Sequence, residues 1–393
     1  MSSLCYKYIP LSYKDGPERE IYYAYDEDTS TADRVIHELK KGEIFSAVDL
    51  ILMMNVCPPK KDLDENQKQK RVRVLDVGAH IGTYSLALGV CDDDYEVIAI
   101  EAAPQNASLY KKSLEKNGFE NIKLINAAVS NKEELINFLD NGTAGAMVMT
   151  DSSETEDVIQ LNTRTIEDIL DECGWDSVDF VKIDVEGYEI KALEGMKKYL
   201  LADNSPIVFF EVNAHSLRLN SETPNTLLEF LEECGYMCFV PEAGFQGNDA
   251  GYHTSELKTE GKNFARNAVT LVPISCYEPI PVCVEDLVAL KSNHVANLSS
   301  QNIPVVTPYP RSIRVGKLAF NISAAQPECA RHFIDFMYSY PTFFKENLLK
   351  DAFEALINKP HIVDDNLKDE LRELVSKFST SKSSPLPPIP FRF

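Results

Sequence analysis

The stretch Val72-Arg73-Val74-Leu75-Asp76-Val77-Gly78-Ala79-His80-Ile81-Gly82 passes from a β-branched run into a turn bounded by glycines. Val72, Val74 and Val77 suit a pleated strand, and residues 82–89 read as a helix. A strand that breaks at glycine and restarts as a helix is the point where a parallel sheet offers a crevice to a ligand. Glycine lets the backbone come close to that ligand, and the helix start leaves N–H groups free to meet it.

Outward from this turn the pattern repeats. Strand-like runs fall at 96–101, 122–129, 178–184 and 206–212, with helical text between them, including Pro104 to Asn117 stopped by Gly118. Such alternation implies right-handed crossovers and a doubly wound sheet. Two further runs, 236–240 and 267–272, flank a glycine-rich loop and are expected to close the sheet as an antiparallel edge hairpin. The expected fold is therefore α/β, a Rossmann-like seven-stranded sheet, mostly parallel, with largely helical extensions at both ends.

The N-terminal extension, 1–70, opens with strand-like Glu20 to Tyr25. It turns helical from Thr31, with Val35, Ile36 and Leu39 at helical spacing and Ser30 or Thr31 as cap. A second helix is expected over Phe45 to Met54, then a solvated linker from Lys60 to Lys70. The sheet domain spans 71–273. A C-terminal extension, 274–379, is Pro-rich and β-like to about Ile322 and helical over 330–357 and 364–378. Residues 380–393 read as a disordered Pro-rich tail, where Pro385 to Pro390 could meet an SH3-like or WW-like module.

Composition narrows the partners. Of 393 residues 44% are hydrophobic and 25% charged, the balance of a globular chain. A formal net charge of -22 disfavours nucleic acid, whose affinity rests on neutralised phosphates, and a polybasic membrane anchor. The nine cysteines form no C-x-x-C pair and read as reduced thiols. No signal-peptide run follows Met1 and no stretch has the length of a membrane span, so a cytoplasmic location is expected.

The turn itself discriminates between cofactors. A dinucleotide fingerprint would need glycines where His80 and Thr83 stand, and a P-loop would need a lysine after Gly82. S-adenosylmethionine carries no phosphate and needs only a tight turn and an acid for its ribose hydroxyls. Glu101, 25 positions after Asp76 and at the end of the next strand, is placed for that task.

At this point the chain resembles the FkbM-like methyltransferases of the class I fold. The resemblance runs from about Val72 to Val212 and rests on several blocks in order: Leu75 to Ser85, Glu101 with Pro104, Asn126 to Ser130, Thr163 to Leu170, and Lys182-Ile183-Asp184-Val185-Glu186-Gly187-Tyr188-Glu189, with Gly195 and Phe209-Phe210-Glu211. It implies methyl transfer, usually to oxygen on sugars or secondary metabolites. It also implies a cofactor held by Asp76, Gly78, Ala79, His80, Gly82 and Tyr84, by Glu101 and Ala102, by Asn126, Ala127 and Ala128, and by Asp184. The family more often has Asn where this chain has His80, a departure that sets a titratable ring beside the cofactor.

Methyl transfer to an alcohol needs alignment and a proton acceptor. Asp184 is the leading base by position, with helix capping as its alternative role. Glu186, in the turn, can reach cofactor or substrate, whereas Glu189 falls inside the helix. His80 and His215 are the crevice-side histidines, and Lys182 reads as structural. Asp184, Glu211 and Asn213 offer oxygens that could hold Mg²⁺, although ordinary loop hydrogen bonding is the favoured reading and the metal question stays open. The reading that follows is an O-directed methyltransferase acting on a small-molecule or glycan acceptor. Its rivals are a catalytically silent adenosylmethionine-fold scaffold for a protein partner, and an NAD enzyme that lacks the required glycines.

Overall fold

The computed structural model describes residues 4–13, 16–27, 33–44, 50, 53–54, 56–57, 71–139, 146–147, 158–243, 257–259, 262–263, 269–273, 285–295, 369 and 372–373. The chain opens with β1 (Leu4–Tyr13) and β2 (Arg19–Asp26), antiparallel with Ile9 opposite Ile21. Alternation explains the pairing: Ile9, Leu11, Ile21 and Tyr23 are buried, while Tyr6 and Tyr8 face outward. Helix α1 (Arg34–Lys41) starts at Asp33, whose carboxylate accepts from the Val35 and Ile36 amides, and ends at Gly42 with φ 88°.

Two expectations change here. The N-terminal extension is not largely helical where described, since strands of 10 and 8 residues precede a helix of 8. Its cap is Asp33, one turn later than Ser30 or Thr31, because a carboxylate caps as well as a hydroxyl. The expected helix at 45–54 is described only in part, and the linker lies outside the described residues.

From Val72 strand and helix alternate: β3 (Val72–Val77), α2 (Thr83–Ala87) with a 3-10 turn Leu88–Cys91, β4 (Tyr95–Glu101), α3 (Pro104–Asn117) and β5 (Ile122–Asn126). Four strands follow, β6 (Ala128–Val129), β7 (Leu135–Leu139), β8 (Ala146–Met147) and β9 (Val158–Arg164), then α4 (Ile166–Glu172) and β10 (Phe180–Ile183). Next come α5 (Glu189–Glu194), α6 (Lys197–Leu201), β11 (Ile207–Val212), α7 (Ala214–Leu219) and α8 (Pro224–Glu233). The last described strands are β12 (Met237–Ala243), β13 (Leu257–Thr259), β14 (Lys262–Asn263), β15 (Val269–Pro273) and β16 (Glu285–Leu290).

The main sheet runs β15-β12-β16-β11-β10-β3-β4-β5. Strands β5, β4, β3, β10 and β11 are mutually parallel, and β12 with β15 makes the expected antiparallel hairpin at the edge. All seven expected strands belong to this sheet. An eighth, β16, lies between β11 and β12 and is antiparallel to both, so the sheet takes in residues beyond the expected boundary at 273. Its sequence, Glu-Asp-Leu-Val-Ala-Leu, falls within the stretch expected to be β-like, but its membership of the main sheet was not expected.

The expected strand 122–129 divides. Ala128 and Val129 leave the main sheet to pair with Thr163 and Arg164 of β9, in a separate sheet of order β6-β9-β7-β8. The Ala127 amide turns onto the Glu101 carbonyl at 3.1 Å, and that bond marks the corner.

Both faces of the main sheet are covered, as a parallel sheet requires. Val74, Phe180 and Phe209 enter one core, while Leu75, Val181 and Phe210 enter the other. The N-terminal hairpin seals the first face against α3: Asn117 Nδ2 donates to the Tyr22 carbonyl at 2.7 Å, its Oδ1 accepts the Tyr22 amide at 2.8 Å, and Ser113 Oγ accepts the Ala24 amide at 2.8 Å. These bonds satisfy backbone groups of β2 that would otherwise be stranded beside a helix. Beyond residue 295 only 369 and 372–373 are described, as helix, so the C-terminal helices and the Pro-rich tail lie essentially outside the described residues. Among the described residues no helix is long and apolar enough to cross a membrane.

Candidate active site

The chain runs from β3 through β4 to β5 on one side and from β10 to β11 on the other, so the order reverses between β3 and β10. The carboxyl ends of these strands carry Asp76, Glu101, Asn126, Asp184 and Glu211. Between β3 and α2 the turn holds three left-handed residues, Gly78 at φ 80°, His80 at φ 54° and Gly82 at φ 83°. A Cβ at Gly78 would sit 1.8 Å from the Asp184 carbonyl oxygen, so only glycine lets the turn pass under the end of β10. At His80 the same conformation suits the Asn and His types that tolerate it.

Glu101 is wired into this turn. Its Oε2 accepts the His80 amide at 2.7 Å and its Oε1 the Ala103 amide at 2.8 Å, while Asn126 Nδ2 donates to its carbonyl at 2.7 Å. Burial pushes its carboxyl up to about 7 against the pull of those two amides. Asn106 also donates to the carboxylate, and a remaining lone pair is what a ribose hydroxyl could meet.

Asp76 is 0% exposed, and both its oxygens lack a hydrogen-bond partner among the described residues. Burial raises its pKa, opposed by Lys182 and by the Ser85 hydroxyl, which is itself bonded to Tyr110 at 2.6 Å. Of the expected cofactor residues, Asp76, Ala79, Gly82, Tyr84, Glu101 and Ala128 are buried, whereas Gly78, His80, Ala102, Ala127 and Asp184 are partly open and Asn126 is exposed.

On the other side of the reversal, Lys182 stands opposite Asp76 in the strand register and donates to Asp184 Oδ2 at 3.2 Å. Sequence reading set Lys182 aside as structural. The signal was an ammonium inside Phe-Val-Lys-Ile, since a buried lysine must find a partner. Asp184, Glu186 and Glu211 bring oxygens within 4.8 Å of one another. Glu186 sits at φ 50°, accepts from Ser216 Oγ at 3.2 Å, and has its pKa raised by burial and then by Asp184. Burial, then Asp184 and Glu186, push Glu211 up to about 9.

Three oxygens so close suit the shell of a divalent cation, while Lys182 already supplies a positive charge at Asp184. Asn213, expected in that set, instead accepts the Ser216 amide at 3.2 Å at the start of α7, and Glu186 takes its place in the cluster. Glu189 accepts the Val185 and Gly187 amides at 3.2 and 3.0 Å and holds the turn from within. The side chain of His215 lies outside the described ones.

Residues 76–238 match the family described as the methyltransferase FkbM domain. The match takes in the turn and Glu101, while Asp33 and β16 lie outside the matched residues. No curated protein matches the sequence. Among solved structures, the FkbM methyltransferase of Methylobacillus flagellatus is similar at 20% identity and TM-score 0.31, over 46% of this chain and 41% of that one. The chain thus spans about two fifths of that protein's length. Precorrin-6y C5,15-methyltransferase of Geobacter metallireducens is similar at 15% identity and TM-score 0.34, over 67% and 96%. Human methyltransferase 10 domain containing protein follows at 12% identity and TM-score 0.32, over 62% and 81%.

Proposed function

We propose that the matched domain methylates a hydroxyl oxygen on a sugar or another small metabolite. The observation that carries this reading is the crowding of proton acceptors at the β3/β10 reversal: Asp184, whose side chain is 39% exposed, with Glu186 and His80 beside it. An amine acceptor arrives with a lone pair once deprotonated, but a neutral alcohol must lose its proton in the transition state.

The residues fit the cofactor. Adenosylmethionine is cationic at sulfur and at its amino group, and the strand ends present the acids Glu101, Asp184 and Glu186 with Lys182 as the partly offsetting charge. From Asp76 to Thr83 the turn contains no lysine or arginine, in keeping with a ligand that has no phosphate. When bound, the cofactor supplies an electrophilic methyl carbon on a good leaving group. Gly78 and the His80 amide set the turn against which it would rest, and Glu101 would take the ribose hydroxyls. Asp184 and Glu186 would orient the acceptor hydroxyl and receive its proton, and a protonated Glu211 could donate to a neighbouring acceptor oxygen.

Calorimetric titration with adenosylmethionine, followed by transfer of labelled methyl groups to a panel of hydroxyl-bearing sugars and metabolites, tests the reading. Base-stable methyl ethers as products support it. Label on nitrogen would overturn the O-directed part, and a folded protein that binds no adenosylmethionine would shift the weight to a non-catalytic scaffold.

A further inference from the structure

Asp33 lies outside the matched residues 76–238 and yet reaches the active site. Its Oδ1 is committed to α1, accepting the Val35 amide at 2.8 Å and the Ile36 amide at 3.2 Å. Its Oδ2 has no hydrogen-bond partner among the described residues and lies 3.9 Å from His80 Nε2. The two side chains are 3% and 16% exposed, so water is largely excluded from the contact. The imidazole nitrogens have no hydrogen-bond partner among the described residues, while the His80 backbone is fixed by its amide bond to Glu101.

We propose that Asp33 is a positioning residue for His80: its Oδ2 accepts a hydrogen bond from Nε2–H and holds the ring in the tautomer whose Nδ1 is a bare acceptor. The inference rests on the methyltransferase reading for the use of that lone pair. Both ring nitrogens are buried in this structure, so the lone pair serves a hydrogen-bond donor of a molecule that enters against the turn, and the methyl acceptor's proton is left to Asp184 or Glu186. The present 3.9 Å is about 1 Å longer than a hydrogen bond, a gap of the kind that closes when a site fills. Ser, Thr or Asn would cap α1 equally well, but only a carboxylate caps the helix and also stabilises a cation beside it.

The charged groups acting on the ring are Asp33, from the entry to α1, and Asp184 and Lys182, from β10. Burial lowers the His80 pKa, and Asp33 is the first of the two acids that oppose it.

The test uses the full chain labelled with ¹⁵N at histidine, with the His80 signals assigned by their loss in His80→Gln. In the parent, the expected spectrum is the Nε2–H tautomer. Asp33→Asn and Asp33→Ser both keep the cap, and each is expected to lower the His80 midpoint by about one pH unit and to mix the tautomers. An unchanged midpoint and tautomer in the two folded variants would overturn the pairing. Calorimetry with adenosylmethionine on the same samples separates the two readings. A responsive ring without cofactor binding sinks the methyltransferase reading alone, and binding with an unresponsive ring sinks the pairing alone.

Discussion

The amide of His80 donates to the carboxylate of Glu101 at 2.7 Å, so the acid at the end of β4 and the turn after β3 form one rigid unit. Glu101→Gln can satisfy only one of the two amides, because its own NH₂ then faces the other. The expected loss is about 1–3 kcal/mol in urea unfolding, the cost of leaving a buried amide without its acceptor. On the proposed reading, adenosylmethionine affinity falls at least about tenfold in calorimetry, a loss of about 1.4 kcal/mol. Affinity and stability both unchanged would remove Glu101 from the site.

Two glycine substitutions isolate the close approach of the turn to β10. Gly118→Ala, at φ 68° with nothing within 4 Å of the new methyl group, is expected to cost about 1–2 kcal/mol from backbone strain alone. Gly78→Ala adds a collision with the Asp184 carbonyl and should cost at least about 2 kcal/mol more, with loss of cofactor binding. Equal urea midpoints for the two variants would show that the turn can lift away from β10.

Much of this architecture was legible because it is written in period and punctuation. Val72 to Val77, Tyr95 to Glu101 and Ile207 to Val212 are β-rich runs ended by a turn glycine, an acid or a polar residue, and each became a strand in the expected order. What was hidden depends on partners far along the chain. Glu285 to Leu290 lies in text that reads as β-like, but its place in the main sheet comes from the open edges of β11 and β12. Lys182 reads as structural until register sets it opposite Asp76, and Asp33 is passed over in favour of Ser30 or Thr31 as cap until the fold brings His80 to its second oxygen.

The seal between the N-terminal hairpin and α3 can be tested one bond at a time. Ser113→Ala leaves the buried Ala24 amide without its acceptor, at a cost of about 1–3 kcal/mol. Hydrogen exchange at Ala24 should quicken markedly while the amides of β3 and β4 keep their protection. Uniform loss across both regions would show that the hairpin and the main sheet open as one unit.

Stability should fall as pH rises. Glu101 and Glu189 are raised to about 7 and Glu211 to about 9, all by burial first. A carboxyl raised in the folded state keeps its full stabilising effect below its unfolded value near 4.5, and that effect is lost as pH climbs through the folded value. Melting temperature is therefore expected to drop between about pH 5 and pH 9. Glu211→Gln should flatten the upper part of the curve and melt higher than the parent at pH 9. A parent curve that rises over this range would contradict the buried, uncharged state of these acids.

Because β16 lies between β11 and β12, the main sheet cannot be completed in the order in which a ribosome delivers it. Strands through β12 emerge with a gap already reserved, and the piece that fills it arrives some forty residues later, after β15 has folded back on the far side. Until then two strand edges stay open to any other extended chain, a window in which a nascent molecule is vulnerable to wrong pairing and a chaperone has a reason to linger.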